Sequence, residues 1–211
     1  MVKPIDKEHI ILQTAMDVFI EKGRHGAKMQ EIADRAGINK ALLHYYFRSK
    51  DNLYSQIFDQ VFGRFVIEMS LKLDLSASFV NGLQYFINEF HELLNKNPKI
   101  PVFMARELGE GGEIVSGVLA KYSAEKTKGP ARLLEFIRNA QRKGEVRNEL
   151  DPHQVLITLM GSIIYYFFAE SLITVIFNLP ENFDRNTFLE NRKKAIFDII
   201  YNGIKPRGEG E

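Results

Sequence analysis

Three features of the chain predict an all-α fold. Apolar residues recur at three- and four-residue spacing along most of its length, no stretch alternates apolar and polar residues between hairpin signals, and Gly, Pro and Asn interrupt the pattern at helical intervals. At 211 residues and 45% hydrophobic composition, the chain can bury a substantial core, as one large domain or as a small one joined to a larger.

The elements follow in order. Asp6 can cap a helix running to about Lys22, with Ile11, Leu12, Ala15, Met16, Val18 and Phe19 on one side and Gly23 placed to end it. Met29 to Ala36 forms a short second helix, and Gly37 supplies the backbone freedom of a sharp turn. Asn39 caps a third helix ending near Arg48, and Ser49 caps a long fourth from Lys50 to about Leu73. Ser76 opens the next, which Asn97-Pro98 stops near Asn95. Further helices are predicted at 100–108, 113–125, 131–143, 152–178 and 186–203, with breaks at GEGG (109–112), KGP (128–130) and LPENFDRN (179–186).

One run is long enough to test as a membrane span. Between Val155 and Leu179 the only formal charge is Glu170, and about 20 apolar residues suffice to cross a bilayer. Glu170 would then lie inside the hydrocarbon, and the flanks show no one-sided cationic bias, so the run reads as a helix buried by its own fold or by a partner subunit. The N-terminal MVKPIDKEHI has no apolar stretch of secretory length, which predicts a cytoplasmic protein. The absence of cysteine fits a reducing compartment and excludes thiolate zinc sites and thiol nucleophiles.

Charge is uneven. Residues 1–50 carry nine Lys/Arg against six Asp/Glu, while residues 51–211 carry 19 against 21, which permits nucleic-acid binding by the N-terminal part. The third helix sharpens this. At 100° per residue Leu43 and Phe47 share one stripe with Lys40 and Tyr46 at its edges, and Ala41, Leu42, His44, Tyr45 and Arg48 point away. Helix, Gly-containing turn and a second helix with polar and aromatic residues outward is the layout of a helix-turn-helix. Lys40 can reach a phosphate or a guanine edge, Tyr45 can give its hydroxyl to a phosphate, Ala41 admits close approach, and His44 suits either role. Lys50, at the start of the next helix, can pair with a phosphate. The same residues also describe the surface of an ordinary helical hairpin.

The segment MQEIADRAGINKALLHYYFRSKDNLY resembles the N-terminal module of TetR/AcrR-family transcriptional regulators, which reads roughly D-I-A-x-x-A-G-V-S-K-G-x-L-Y-x-H-F-x-x-K-x-x-L. Glu31-Ile32-Ala33, Ala36-Gly37-Ile38, Asn39-Lys40-Ala41, Leu43, Phe47, Lys50 and Leu53 keep its register, and AMDVFIEKG (15–23) resembles its first helix. The resemblance covers residues 6 to about 58. It implies DNA contacts by Lys40, Ala41, Leu42, His44, Tyr45, Tyr46 and Lys50. It departs where the family usually has a capping Thr before the second helix: Ala27 and Lys28 stand there, so the cap is lost, while Lys28 offers a charge to a phosphate. Ala41, His44 and Tyr46 replace the usual Gly, Tyr and His and change which sequence is read.

The resemblance further implies a DNA-binding domain over 1–49 and a helical effector-binding and dimerisation domain over 50–211, with the helices at 152–178 and 186–203 pairing in a homodimer. The expected function is a repressor that binds a roughly palindromic double-stranded operator and is released by a small molecule. Candidate effector residues are Phe62, Phe65, Phe86, Phe90, Phe103, Arg106, Tyr165, Tyr166 and Glu170, although aromatics at helical spacing equally describe a core. No cofactor or metal is called for. No His follows a Glu by three residues, and neither a His-Glu-x-x-His nor a phosphate-binding Gly-rich loop is present, which argues against an enzyme. A helical interaction module without operator binding is the alternative.

Overall fold

The computed structural model describes residues 7–123, 129–180 and 183–207, apart from the side chains at 61, 62, 64, 65 and 123. Among the described residues every regular element is helical: α1 Lys7–Gly26, α2 Met29–Arg35, α3 Lys40–Phe47, α4 Lys50–Phe58, a π-helical turn Asp59–Gly63, α5 Arg64–Lys72, α6 Phe79–Lys96, α7 Lys99–Gly109, α8 Glu113–Ser123, α9 Pro130–Arg142, α10 Pro152–Ile176 and α11 Arg185–Ile204. They pack as two compact units, Met1–Phe65 with Lys99–Tyr122, and Val66–Pro98 with Ser123–Glu211.

In the first unit the apolar stripe of α1 meets Ile32 and Ala33 of α2, Leu43 and Phe47 of α3, and Leu53, Tyr54, Ile57 and Phe58 of α4, joined by Phe103 of α7 and Val115 and Val118 of α8. Aromatic rings fill its centre. Phe58 stacks on Phe103 at 4.5 Å, and Tyr54 meets Phe19 edge-on at 4.7 Å, geometries that ring quadrupoles favour. The buried carboxylate of Glu107 accepts from the backbone N–H groups of Ile114 and Val115, which satisfies the positive end of α8.

In the second unit α6 packs against α9, α10 and α11. Its inner face carries Phe79, Leu83, Phe86, Ile87, Phe90, His91 and Leu94. Arg132 donates to the carbonyls of Ser70 and Leu73 and thereby closes the end of α5. Asp151 and Asp184 cap α10 and α11.

Several boundaries differ from the expectation. The first helical run does break at Gly23, where φ is 70°, but a further turn carries α1 to Gly26. The long helix from Lys50 is interrupted by the π-helical turn. Ser78, not Ser76, caps α6, because Asp74 takes both the N–H and the hydroxyl of Ser76, and Glu145 accepts from the Phe79 N–H. Asp6 and residues 124–125 lie outside the described residues.

Candidate nucleic-acid interface

The turn between α2 and α3 is built from backbone bonds. Gly37 sits at φ 68°, its N–H donates to Asp34, and the Ile38 N–H reaches back to Ala33, so two end carbonyls of α2 are satisfied by a left-handed cap. Among the described residues nothing lies within 4 Å of where a Gly37 side chain would begin, and its positive φ selects glycine here. Asn39 then opens α3, its side chain accepting from the Leu42 N–H at 2.7 Å.

Leu43 and Phe47 are fully buried and fix the rotation of α3. Lys40, Ala41, His44 and Tyr45 are exposed, Tyr45 at 69%, while Leu42 is half-buried and Tyr46 lies edge-on to Tyr45 at 5.7 Å. His44 Nδ1 lies 3.0 Å from the Arg48 carbonyl. Since a carbonyl can only accept, Nδ1 carries the proton, and Nε2 is left outside the fold's own bonding.

Arg48 itself is unusual. It ends α3 at φ 61°, ψ −51°, with the Ser49 N–H bonded back to Phe47, a γ-turn of the strained hand for a residue with a side chain. Its guanidinium is exposed and makes no hydrogen bond or ion pair among the described residues. Helical periodicity places Arg48 outward, and the turn then holds it at the edge of the reading face.

The two flanking lysines have different surroundings. Lys28 is exposed at the N-cap of α2, and no side chain caps that helix. Replacing Lys28 by Ser will therefore raise stability by about 1 kcal/mol. If Lys28 meets a phosphate, the same change will flatten the salt dependence of DNA binding, lowering its log–log slope by about 0.9 for each phosphate no longer neutralised. Urea denaturation and salt titrations of one variant measure both. Lys50 is half-buried and already occupied. Its ammonium donates to the carbonyls of His25 and Ala27, at 3.2 and 3.1 Å, and so ties the end of α1 to the start of α4. A phosphate could engage only its remaining N–H.

Of the acidic side chains nearby, Glu21 and Glu31 are neutralised within the unit, while Asp34 accepts from the neutral Gln30 amide. Lys22 and Arg35 hold Glu31, and Arg35 also pairs with Glu21, which keeps both carboxyls below the usual range. Lys28, Lys40 and Arg48 have no such partner among the described residues, so the helix-turn-helix and its edges keep three unpaired cations.

The sequence profile of the bacterial regulatory proteins of the tetR family matches residues 11–57, from within α1 to within α4. That segment is a DNA-binding module of the tetR family. The chain is similar to the transcriptional regulator RutR of Escherichia coli K12, 25% identical over 207 residues that cover 95% of this chain and 92% of that protein. It is likewise similar to the fatty acid metabolism regulator protein of Bacillus subtilis, 22% identical over 195 residues covering 92% and 93%. Its fold matches that of the transcriptional regulator FadR from Bacillus subtilis, solved in complex with stearoyl-CoA, with a TM-score of 0.70 at 20% identity, covering 93% of this chain and 98% of that one.

The structure does not gather all the effector candidates. Phe86 and Phe90 stack at 5.8 Å on the inner face of α6. Tyr166 and Glu170 form a different cluster, in which the Tyr166 hydroxyl donates to Glu170 and Arg185 grips the same carboxylate with two N–H groups. That guanidinium holds Glu170 below the usual carboxylate range. Tyr165 is exposed beside it. Phe103 belongs to the core of the first unit and Arg106 to its surface, beside Gly23. The side chains of Phe62 and Phe65 lie outside the described residues.

Proposed function

We propose that the protein is a ligand-responsive repressor that binds a roughly palindromic operator as a homodimer and leaves it when a small effector binds. The observation that carries this reading is α3. Two buried residues lock the helix, and its opposite face offers a cation, a small residue, an imidazole and a phenol at the spacing of a major-groove reader. Residues 1–49 serve as the reading head and 50–211 as the effector and dimerisation part.

Dimerisation accounts for α10. Among the described residues it is the one helix long and apolar enough to cross a membrane, yet only Val155, Leu159, Ile163, Tyr166 and Phe167 are buried. Tyr165, Phe168, Leu172 and Val175 form an exposed stripe at three- and four-residue spacing, with Ile157 about two turns before it and Ile176 at its edge, and Ile199 of α11 is exposed as well. A symmetry mate laying the same faces together buries this surface in a four-helix bundle, and the protein acts in the cytoplasm without a membrane. Gly161, with nothing among the described residues within 4 Å of a prospective Cβ, admits close helix approach there.

The effector part has an apolar interior, which suits a lipophilic effector; the acyl chain of the stearoyl-CoA bound by the Bacillus subtilis FadR is an example of that chemistry. Binding of such an effector and binding of DNA oppose one another by a single coupling factor, whichever is added first. No catalytic step enters this mechanism.

The test is an anisotropy titration with duplexes from the region preceding the protein's own gene. Lys40→Ala and Tyr45→Ala will each weaken binding by about 1–3 kcal/mol per head, the range of a good base or phosphate contact. Unchanged affinity in both would remove α3 from the interface.

A further inference from the structure

Three cations of α11 are half-buried, and the fold supplies counter-ions to two of them. Arg185 grips Glu170, and Lys193 pairs with Glu190 and Glu92. Arg192 has no carboxylate partner among the described residues. One of its terminal N–H groups donates to the Ser162 carbonyl of α10 at 2.9 Å, which ties the guanidinium to that helix and leaves the rest of its fork unclaimed. A cation taken part-way out of water loses hydration that one backbone carbonyl replaces only in part, so an anion from outside the fold would restore what is missing.

The same side chain lines a cleft large enough for a small molecule. The cleft lies between α10 and α11 and holds about 450 Å³, within the range of ligand sites. Its walls are aromatic. Tyr165, Tyr166 and Phe177 contribute from α10 and its C-terminal end and Phe188 from α11, with Ile173 beside them; Arg192 is the one charged residue on the lining among the described residues. Tyr165 and Phe177 are 58% and 69% exposed, so this aromatic surface is left to water in the single chain. The Tyr166 ring stands 5.2 Å from that of Phe188 and its hydroxyl donates to Glu170, which takes the phenol proton out of use. Glu170 is neutralised by Arg185 and does not line the cleft.

The cleft is distinct from the stripe assigned to the partner subunit. At 100° per residue Tyr166, Ile173 and Phe177 share one row of α10, roughly 150° round the helix from Phe168, Leu172 and Val175, and Tyr165 lies between the two. A mate laid along the stripe does not cover this row of α10.

We propose that the cleft binds a small aromatic carboxylate, its rings against the four aromatic side chains and its carboxylate on the free N–H groups of Arg192. Ring pairs favour offset and edge-on contacts of the kind these walls allow, and a planar guanidinium matches a carboxylate with two parallel bonds. The site is separate from the small apolar void between α6, α9 and α10, and it stands without the repressor reading, because binding is measured with no DNA present.

The experiment compares 2-naphthoate with 2-naphthamide, which keeps the rings and loses the charge. Full-length protein labelled at the isoleucine Cδ1 methyls is titrated with each at neutral pH and followed by NMR, beside Arg192→Gln. The parent should bind naphthoate about tenfold more tightly than the amide. The Ile173 methyl, assigned by Ile173→Val, should shift in the ring current of either probe, while those of Ile11 and Ile32, buried in the first unit, stay in place. Arg192→Gln should bind the two probes alike. Equal binding of both by the parent, a preference that survives in Arg192→Gln, or binding that leaves the Ile173 methyl unmoved would overturn the proposal. So would binding of neither probe, or binding by a Leu172→Glu monomer that the parent dimer lacks, since the partner would then fill the cleft.

Discussion

A glutamate in place of Leu172 will leave the protein monomeric and lower its affinity for a palindromic operator by about 10²- to 10⁴-fold. Leu172 is 53% exposed in the single chain and lies midway along the stripe that continues to Val175, itself 76% exposed. A carboxylate there meets water in the monomer, so α10 should still form and the first unit should keep its fold. In the paired bundle the same charge would be stripped of water beside apolar side chains, at a cost of roughly several kcal/mol. Two linked heads bind successive grooves with the second event made intramolecular, and a monomer forfeits that advantage while α3 keeps every group it presents. Sedimentation equilibrium and anisotropy on the same sample separate the two effects. A dimeric Leu172→Glu protein with unchanged operator affinity would place the interface elsewhere.

Acid will destabilise the protein through His91 before it affects the paired carboxylates. Held down chiefly by burial, the folded ring titrates at about 4, against about 6.5 in an unfolded chain. Well above the unfolded value neither state is protonated and the residue has no effect. As pH falls through about 6.5 the unfolded chain takes up a proton that the folded chain refuses, so stability drops until about pH 4 and then levels. The window of about 2.5 units corresponds to roughly 3 kcal/mol. Glu92 and Glu170, held low chiefly by Lys96 and Arg185, act in the usual carboxylate sense, and their contribution is lost further down, as pH falls from the ordinary carboxylate range through their depressed values. Urea denaturation of the parent and of His91→Leu between about pH 7 and pH 4 should show the parent losing this stability and the variant keeping it. Parallel curves would mean that the ring is hydrated or protonated in the folded state.

What could be read from the sequence was local. The inward turn of Leu43 and Phe47 follows from a spacing of four, and Gly37, Asn39 and Ser49 act within three residues of where they stand. What could not be read depends on partners far along the chain. The sequence does not show that Lys50 gives two of its N–H groups to the carbonyls of His25 and Ala27, more than twenty residues earlier. Ser76 has the composition of a cap, but Asp74 withdraws it and Glu145 helps set the start of α6. Aromatic density likewise carried no address. Phe86 and Phe103 look equivalent in sequence, and packing assigns one to the second unit and the other to the first. His91 showed no sign that its buried Nε2 lacks a hydrogen-bond partner among the described residues, because an orphaned atom is defined by every neighbour that fails to reach it.

If α3 reads a DNA sequence on behalf of a symmetric dimer, both the sequence it selects and its dependence on two side chains are fixed in advance. Selection of bound duplexes from a random pool, followed by anisotropy titration of the recovered consensus against Lys40→Ala and Tyr45→Ala, examines both at once. A symmetric reader should recover a partly palindromic consensus with half-sites about one helical turn apart, bound more weakly by each variant. Salt-sensitive binding without sequence preference, indifferent to both substitutions, would contradict it and point to a helical interaction module instead.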